Sequence, residues 1–132
     1  MRASLLLKTV LVMTMASSCC TAFSDEDSTG DKQVAHTVMF WLKEGTSEDT
    51  VDAMIKAVQK FQELPMVDHV FVGRPIDSER EVVDSSFGIG FTLVFPDEEA
   101  LKQYESDPGH LAISREQLLP HVTRGVVYDY RR

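Results

Sequence analysis

The stretch FGIGFTLVFPDEEAL, residues 87–101, joins a strand pattern directly to the start of a helix. From Phe87 to Phe95, bulky apolar residues alternate with small or β-branched ones, which is the period-two pattern of a strand. Pro96 and the residue after it then start a helix. The bulky face of the strand is predicted to meet helices. Gly88 and Gly90 leave little side-chain bulk on the other face, as expected where another backbone or a ligand approaches closely.

Similar patterns on both sides of this stretch predict the element order β-α-β-β-α-β. Before this stretch, the sequence predicts a strand over 34–43, a helix opened by a Thr46–Asp49 capping box and stopped by Pro65, and a strand over 67–74, followed by a charged connection over 75–86. The strand over 87–95 and a helix from 96 come next, and then a helical piece over 111–119 that Pro120 ends. The last predicted element is a strand over 122–130, with Val122, Val126, Tyr128 and Tyr130 in phase. This order predicts an α+β, ferredoxin-like fold. Its four-stranded antiparallel sheet has both helices on one face.

The first strand is apolar on both faces. His36, Val38 and Phe40 lie on one side, whereas Met39 and Trp41 lie on the other. The helices can cover one face only, and an exposed apolar sheet face marks a partner surface. The sequence therefore predicts a homodimer through sheet faces, forming a barrel across a two-fold axis. Which of the two sets faces the partner is left open.

The first 22 residues differ from the rest of the chain. Two basic residues precede a mostly apolar run, and small residues follow it up to Ala22. This is the pattern of a secretory signal peptide, so 1–22 is predicted as signal, 23–33 as a flexible polar leader and 34–132 as the domain. Two alternatives are an uncleaved N-terminal anchor and a lipid anchor at Cys19 or Cys20. The expected location is outside the cytoplasm, either secreted or periplasmic.

Charge and motifs exclude several classes of function. Residues 1–22 contain two bases and no acid, so the formal net charge of −8 for the chain becomes −10 for the remainder. Such a charge argues against nucleic acid and anionic membrane surfaces as partners. We expect no metal site and no cofactor, because the sequence has no CxxC pair, no histidine pair at ligand spacing and no glycine-rich phosphate loop.

Three residues are candidates for chemistry. Asp107 is a good N-cap and a proline follows it, so His110 is predicted in the first turn of a helix, where the positive helix end favours neutral imidazole. A neutral histidine is a usable general base, and Tyr104 could act as its donor partner. His36 is a weaker candidate on the first strand. The alternative interpretation makes all three structural: His110 bonds to the backbone, Tyr104 packs on a neighbouring leucine and His36 is a core residue. The residues alone favour this alternative.

Four motifs resemble the stress-responsive dimeric α/β-barrel family: HTVMF at 36–40, FTLVFPDEEAL at 91–101, YESDPGH at 104–110 and VVYDY at 126–130. The resemblance implies a ferredoxin-like protomer and a homodimeric barrel. A few plant members are polyketide cyclases without a cofactor, whose catalytic tyrosine and histidine fall on Tyr104 and His110, with a strand-one histidine at His36. The cyclase pattern has histidine where this chain has Asp107 and Ile89.

Two hypotheses about function follow. In the first, the chain is an exported, non-catalytic stress-response or binding domain that holds a small apolar ligand at most, with Phe87, Phe91 and Leu111 filling the interior. In the second, it is a cofactor-free cyclase or isomerase that uses Tyr104 and His110 in a closed apolar pocket. Export favours the first, since cytosolic polyketides would be scarce outside the cell. The antibiotic-biosynthesis monooxygenase type, a related fold, is a third option.

Overall fold

The structure, a computed structural model, describes residues 32–132. The predicted signal peptide over 1–22, the two adjacent cysteines and the leader up to residue 31 lie outside the described residues. Within 32–132 there is no helix whose length and apolar character would let it cross a membrane.

The predicted α+β architecture with a four-stranded antiparallel sheet is confirmed. The strands are β1 (Val34–Leu42), β2 (His69–Gly73), β3 (Ile89–Phe95) and β4 (Val122–Arg131), and the helices are α1 (Glu48–Gln59), α2 (Glu98–Ser106) and α3 (Pro108–Ile113). A 3₁₀ turn, Lys60–Glu63, extends α1, whereas a π-helical turn, Ser114–Leu118, and a 3₁₀ turn, Leu119–His121, extend α3. The strand order is β2-β3-β1-β4 with every pair antiparallel. The prediction that Pro120 ends the last helical piece is wrong, because Pro120 lies within the 3₁₀ turn Leu119–His121.

β3 supplies the centre of the core. Its residues Ile89, Phe91, Leu93 and Phe95 are all buried, together with apolar residues of α1 and α2, so all helices cover the same sheet face. Burying side chains of this size is the main favourable term in folding.

The close approach of another backbone or a ligand to Gly88 and Gly90 stays a prediction, and within the chain the nearest atoms belong to side chains of β1. A Cβ on Gly88 would lie 2.6 Å from the Cγ of Leu42, and one on Gly90 would lie 2.8 Å from the Sδ of Met39. Side chains of the same sheet therefore occupy the space beside both glycines. Phe87, which precedes β3, also packs over Gly90 and so lies away from the core.

The phase of β1 settles which side chains face away from the helices. Val34 and Val38 are buried in the core, so Thr37 and Met39 lie on the opposite, outer face. Thr37 stands opposite Thr92 of β3 and Tyr128 of β4, and the two threonine hydroxyls are 3.0 Å apart. The outer face is thus centred on Thr37.

A β-bulge interrupts the pairing of β1 with β4. Trp41 pairs with Arg124 and Leu42 with Val122, so Thr123 is the extra residue. An extra residue reverses the alternation of a strand. Val122 therefore packs towards the core, and the prediction that it is in phase with Val126 is wrong.

Side-chain caps start the helices, at positions close to those predicted. Ser47 caps α1, where its hydroxyl accepts from the backbone N–H of Thr50 at 3.2 Å. The predicted Thr46–Asp49 box is wrong by one residue, because the Thr46 hydroxyl instead donates to the carbonyl of Lys43 at 2.7 Å.

Candidate functional site

A cavity of about 320 Å³ lies between the helix-facing side of the sheet and the layer formed by α2 and α3. Its lining is mostly apolar: Val38, Phe40, Phe61, Phe91, Leu111, Leu118, Leu119 and Val127. The polar lining groups are His36, Tyr104, His110, Ser114 and Arg115. The structure therefore brings the three sequence-predicted residues to one cavity. Its volume falls in the range of small-molecule sites.

The cavity is open on one side, where Leu119 and Val127 are each about half-exposed. Phe91 and Leu111 form its walls and do not fill it. A π-helical turn, the kind of irregularity that is frequent at functional sites, contributes three of the lining residues, Ser114, Arg115 and Leu118. The interior is thus accessible to a small ligand, although the predicted closed pocket is not what this chain forms by itself.

The turn between α2 and α3 positions Tyr104 and His110. The Asp107 carboxylate accepts from the backbone N–H of His110 at 2.9 Å, as the predicted N-cap requires, and the Asp107 N–H donates to the carbonyl of Tyr104 at 3.1 Å. The two rings stack, with centroids 4.0 Å apart and planes 28° apart. The turn therefore holds the rings of Tyr104 and His110 against each other.

Burial lowers the pKa of His110 below its ordinary value of 6.5. The nearby carbonyl of Tyr104 opposes that shift, while the neighbouring His36 adds to it. Within residues 32–132 the Nδ1 atom of His110 is buried and has no hydrogen-bond partner. Burial, rather than the helix end, is therefore the main factor that favours the neutral imidazole of His110.

Tyr104 is almost fully buried, and this burial raises the pKa of its phenol well above 10.0. Phe61, Phe95 and His36 surround its ring, with centroids 5.1–5.8 Å away. The phenol therefore stays protonated over the whole physiological range. It is suited to donating a hydrogen bond, and ill suited to acting as a base.

His36 has a partner that sequence reasoning missed. Its Nδ1 atom lies 2.6 Å from Oδ1 of Asp129, the residue that stands opposite it in the β1–β4 pairing. The side chain of His36 is 12% exposed and that of Asp129 is 44% exposed. The pair therefore links the cavity wall to the solvent side of β4. The contact depends on the register of β1 against β4, for which the sequence carries no signal.

The shifted pKa of His110 predicts a pH dependence of stability. The unfolded chain takes up the proton near 6.5, whereas the folded chain does so only at lower pH. The contribution of His110 to the free energy of unfolding is therefore complete above pH 6.5, and it is lost as the pH falls from 6.5 towards the lower pKa of the folded chain. We expect the free energy of unfolding to drop between about pH 7 and pH 5. The drop should be smaller in His110→Gln than in the unchanged protein, as measured by urea titration. Equal slopes for the two proteins would contradict the buried, neutral histidine.

Residues 32–132 contain no group of three or more side chains arranged to hold a metal ion.

Comparison with known proteins identifies a family and a fold. The sequence model described as "Stress responsive A/B Barrel Domain" matches residues 34–132. No curated protein sequence matches the chain. Among solved structures, a hydroxynitrile lyase from Passiflora edulis has a TM-score of 0.69 and 19% identity, and the match covers 77% of this chain and 94% of that one.

Two further solved structures are similar over most of their length. A Dabb family protein with a ferredoxin-like fold from Mesorhizobium loti has a TM-score of 0.62 and 25% identity, with 76% of this chain and 96% of that one covered. A dimeric protein of unknown function with a ferredoxin-like fold from Bacteroides fragilis has a TM-score of 0.63 and 17% identity, with the same coverage of 76% and 96%. The ferredoxin-like fold is therefore shared.

Proposed function

Because the chain belongs to the stress-responsive A/B barrel domain family, we propose that it is a homodimer whose cavity binds a small, largely apolar carbonyl compound and moves a proton on it without a cofactor. One observation carries this proposal. A cavity of about 320 Å³ is lined by eight apolar side chains and by His36, Tyr104 and His110. An apolar lining with a few convergent polar groups is typical of a small-molecule site.

The chemistry of the polar groups supports proton transfer at a carbonyl. Tyr104 is held as a neutral phenol that can donate to a carbonyl oxygen, and the imidazole rings of His36 and His110 line the same cavity. Removing an α-proton needs a base, together with a donor for the oxygen that gains negative charge. The name of the Passiflora edulis relative, a hydroxynitrile lyase, supports an enzymatic role for this fold.

The outer sheet face supports the homodimer. Phe71 is 72% exposed there, and Tyr128 and Tyr130 are each 59% exposed. Three solved relatives are described as dimeric. A second copy packed face to face would bury these rings and form the barrel of the family name.

A non-catalytic binding role is the second candidate, and one observation favours it. The rings of Tyr104 and His110 stack on each other, so they are not placed as a hydrogen-bonded donor and base. A stacked pair in an apolar cavity is equally suited to holding an aromatic or carbonyl ligand without reaction.

Export remains a proposal that rests on the sequence alone. Residues 1–22 would direct the chain out of the cytoplasm, with cleavage after Ala22 or lipidation at Cys19 or Cys20. Intact-mass measurement of the exported protein distinguishes these outcomes.

The proposed function predicts exchange of α-protons in a simple ketone. In D₂O, the protein should catalyse deuterium uptake at the α-carbons of phenylacetone, followed by proton NMR. Val127→Trp should lower the rate by at least about 10-fold, because the indole would fill the mouth of the cavity, where Val127 is 49% exposed. The matched control is Val82→Trp in the loop before β3, where Val82 is 81% exposed and outside the cavity.

Three outcomes are informative. Exchange that Val127→Trp abolishes and Val82→Trp preserves supports the proposal. Binding of phenylacetone without exchange supports the non-catalytic candidate. If phenylacetone and related aromatic ketones neither bind nor exchange, the cavity is not a carbonyl site and the proposal fails.

A further inference from the structure

The hydrogen bond between His36 and Asp129 decides which nitrogen of His36 carries the proton. An ionised carboxylate can only accept hydrogen bonds. At 2.6 Å from Oδ1 of Asp129, the Nδ1 atom of His36 must therefore be the donor. In the neutral ring the lone pair then lies on Nε2, so His36 is fixed in the tautomer whose free basic atom is Nε2.

The placement of His36 leaves this basic atom for the cavity. Its Nδ1 is turned towards β4, where Asp129 stands, and the ring contributes to the cavity wall. The rings of His36 and Tyr104 have their centroids 5.8 Å apart and meet at 65°, edge to face. The two rings are thus in contact with each other and both line the cavity, so a small carbonyl compound in the cavity could meet a base at His36 and a phenol donor at Tyr104.

The two histidines of the site differ in what would happen if they gained a proton. On His36, the new charge would face the carboxylate of Asp129 at hydrogen-bond distance. On His110, the acceptors nearest the ring are the backbone carbonyls of Tyr104 and Glu105, and no carboxylate among residues 32–132 forms an ion pair with it, so the new charge would be buried without a charged partner. Burying a charge without a partner is costly.

We propose that His36, held by Asp129, is the general base of this site, and that His110 is not. This inference rests on the proposed function. Nε2 of His36 removes a proton from the carbon next to the carbonyl, and the electron pair of the broken C–H bond forms the enolate. The enolate oxygen accepts a hydrogen bond from the Tyr104 hydroxyl. His36 then returns a proton to carbon, which restores the neutral ring.

In this assignment the remaining residues have supporting roles. Asp129 is a positioning residue, because it fixes the tautomer and stabilises the imidazolium without touching the substrate. His110 supports the ring of Tyr104 through the 4.0 Å stack. The stacking of Tyr104 on His110 then no longer argues against catalysis, since the base is a different histidine.

The first test reads the tautomer directly. In ¹⁵N-labelled protein, nitrogen NMR of His36 should show a protonated Nδ1 and a bare Nε2 at neutral pH, and Asp129→Asn should remove this preference, because an amide can either donate or accept. The matched control, Asp77→Asn in the loop before β3, should leave the tautomer unchanged. A proton on Nε2 in the unchanged protein would overturn the proposal, whatever the protein does to ketones.

The second test compares variants in the exchange of phenylacetone α-protons. His36→Gln should lower the rate by about 10²-fold or more, as expected for the loss of a general base. Asp129→Asn should lower it by at least about 10-fold, and His110→Gln by less than about 10-fold. His121→Gln is the control, because His121 faces α1 on the other side of the helical turn.

The two tests separate the possible failures. If His110→Gln costs as much as His36→Gln or more, the base is not His36 and this inference is overturned. If the protein catalyses no exchange at all, the proposed function fails. The nitrogen NMR of His36 still determines which of its two ring nitrogens is basic. Asp129 is exposed, so Asp129→Asn should fold and remain informative even if His36→Gln does not.

Discussion

Phe61→Ala is expected to lower the free energy of unfolding by about 3–5 kcal/mol, as the loss of a fully buried aromatic ring does. Phe61 has no exposed surface, and its ring packs edge to face on Tyr104 at 5.6 Å and on His110 at 5.5 Å. Small domains have a total stability of about 5–15 kcal/mol. This single change should therefore bring the protein close to unfolding and also loosen the wall of the cavity.

Urea titration of Phe61→Ala and of the unchanged protein measures this loss. Both should be studied at the same protein concentration, because dimerisation adds to apparent stability. The control is Ile76→Ala, where the side chain is 83% exposed in the loop after β2, and it should change stability by less than about 0.5 kcal/mol. A loss below about 1 kcal/mol for Phe61→Ala would contradict the packing described around Tyr104.

Thr37→Asp is expected to convert the dimer into monomers. Thr37 lies at the centre of the outer face, bonded to Thr92 and in one row with Phe71 and Tyr128. In a face-to-face dimer this change buries a carboxylate from each copy near the two-fold axis. An unpaired charge in an interface costs about 2–5 kcal/mol, which corresponds to a loss of affinity of at least about 30-fold.

Size-exclusion chromatography with light scattering gives the mass of each variant in solution. Thr46→Asp, in the turn before α1, adds the same charge away from the sheet and should stay dimeric. A dimer that survives Thr37→Asp would place the interface elsewhere. A monomer for the unchanged protein at micromolar concentration would contradict the proposed assembly.

The fold could be predicted because its decisive patterns are local. The alternation in β3 correctly predicted which of its side chains enter the core, and the helix predicted between Thr46 and Pro65 is present as α1 with its 3₁₀ extension. The error at the start of α1 arises because a neighbouring hydrogen bond competes with the predicted cap. Ser47 rather than Thr46 caps α1, because the Thr46 hydroxyl bonds to the carbonyl of Lys43.

The candidate site could be predicted only in part, for a related reason. Tyr104 and His110 are six positions apart across one turn, so their proximity follows from local geometry. Asp129 lies 93 positions from His36, and their contact depends on the register of β1 against β4. That register includes a bulge at Thr123 that no periodicity in the sequence reveals. The partner of His36 was therefore missed.

The bulged strand β4 has a consequence for how this protein can change over generations. Alternate residues of β4 point to different sides, so Asp129 reaches His36 while Tyr128 and Tyr130 lie on the outer face. Deleting or inserting a single codon between Gly125 and Asp129 would exchange these sides. Such a change would remove the carboxylate of Asp129 from His36 and the tyrosines from the outer face together. We therefore expect insertions and deletions to be tolerated over 75–86 and to be selected against in β4.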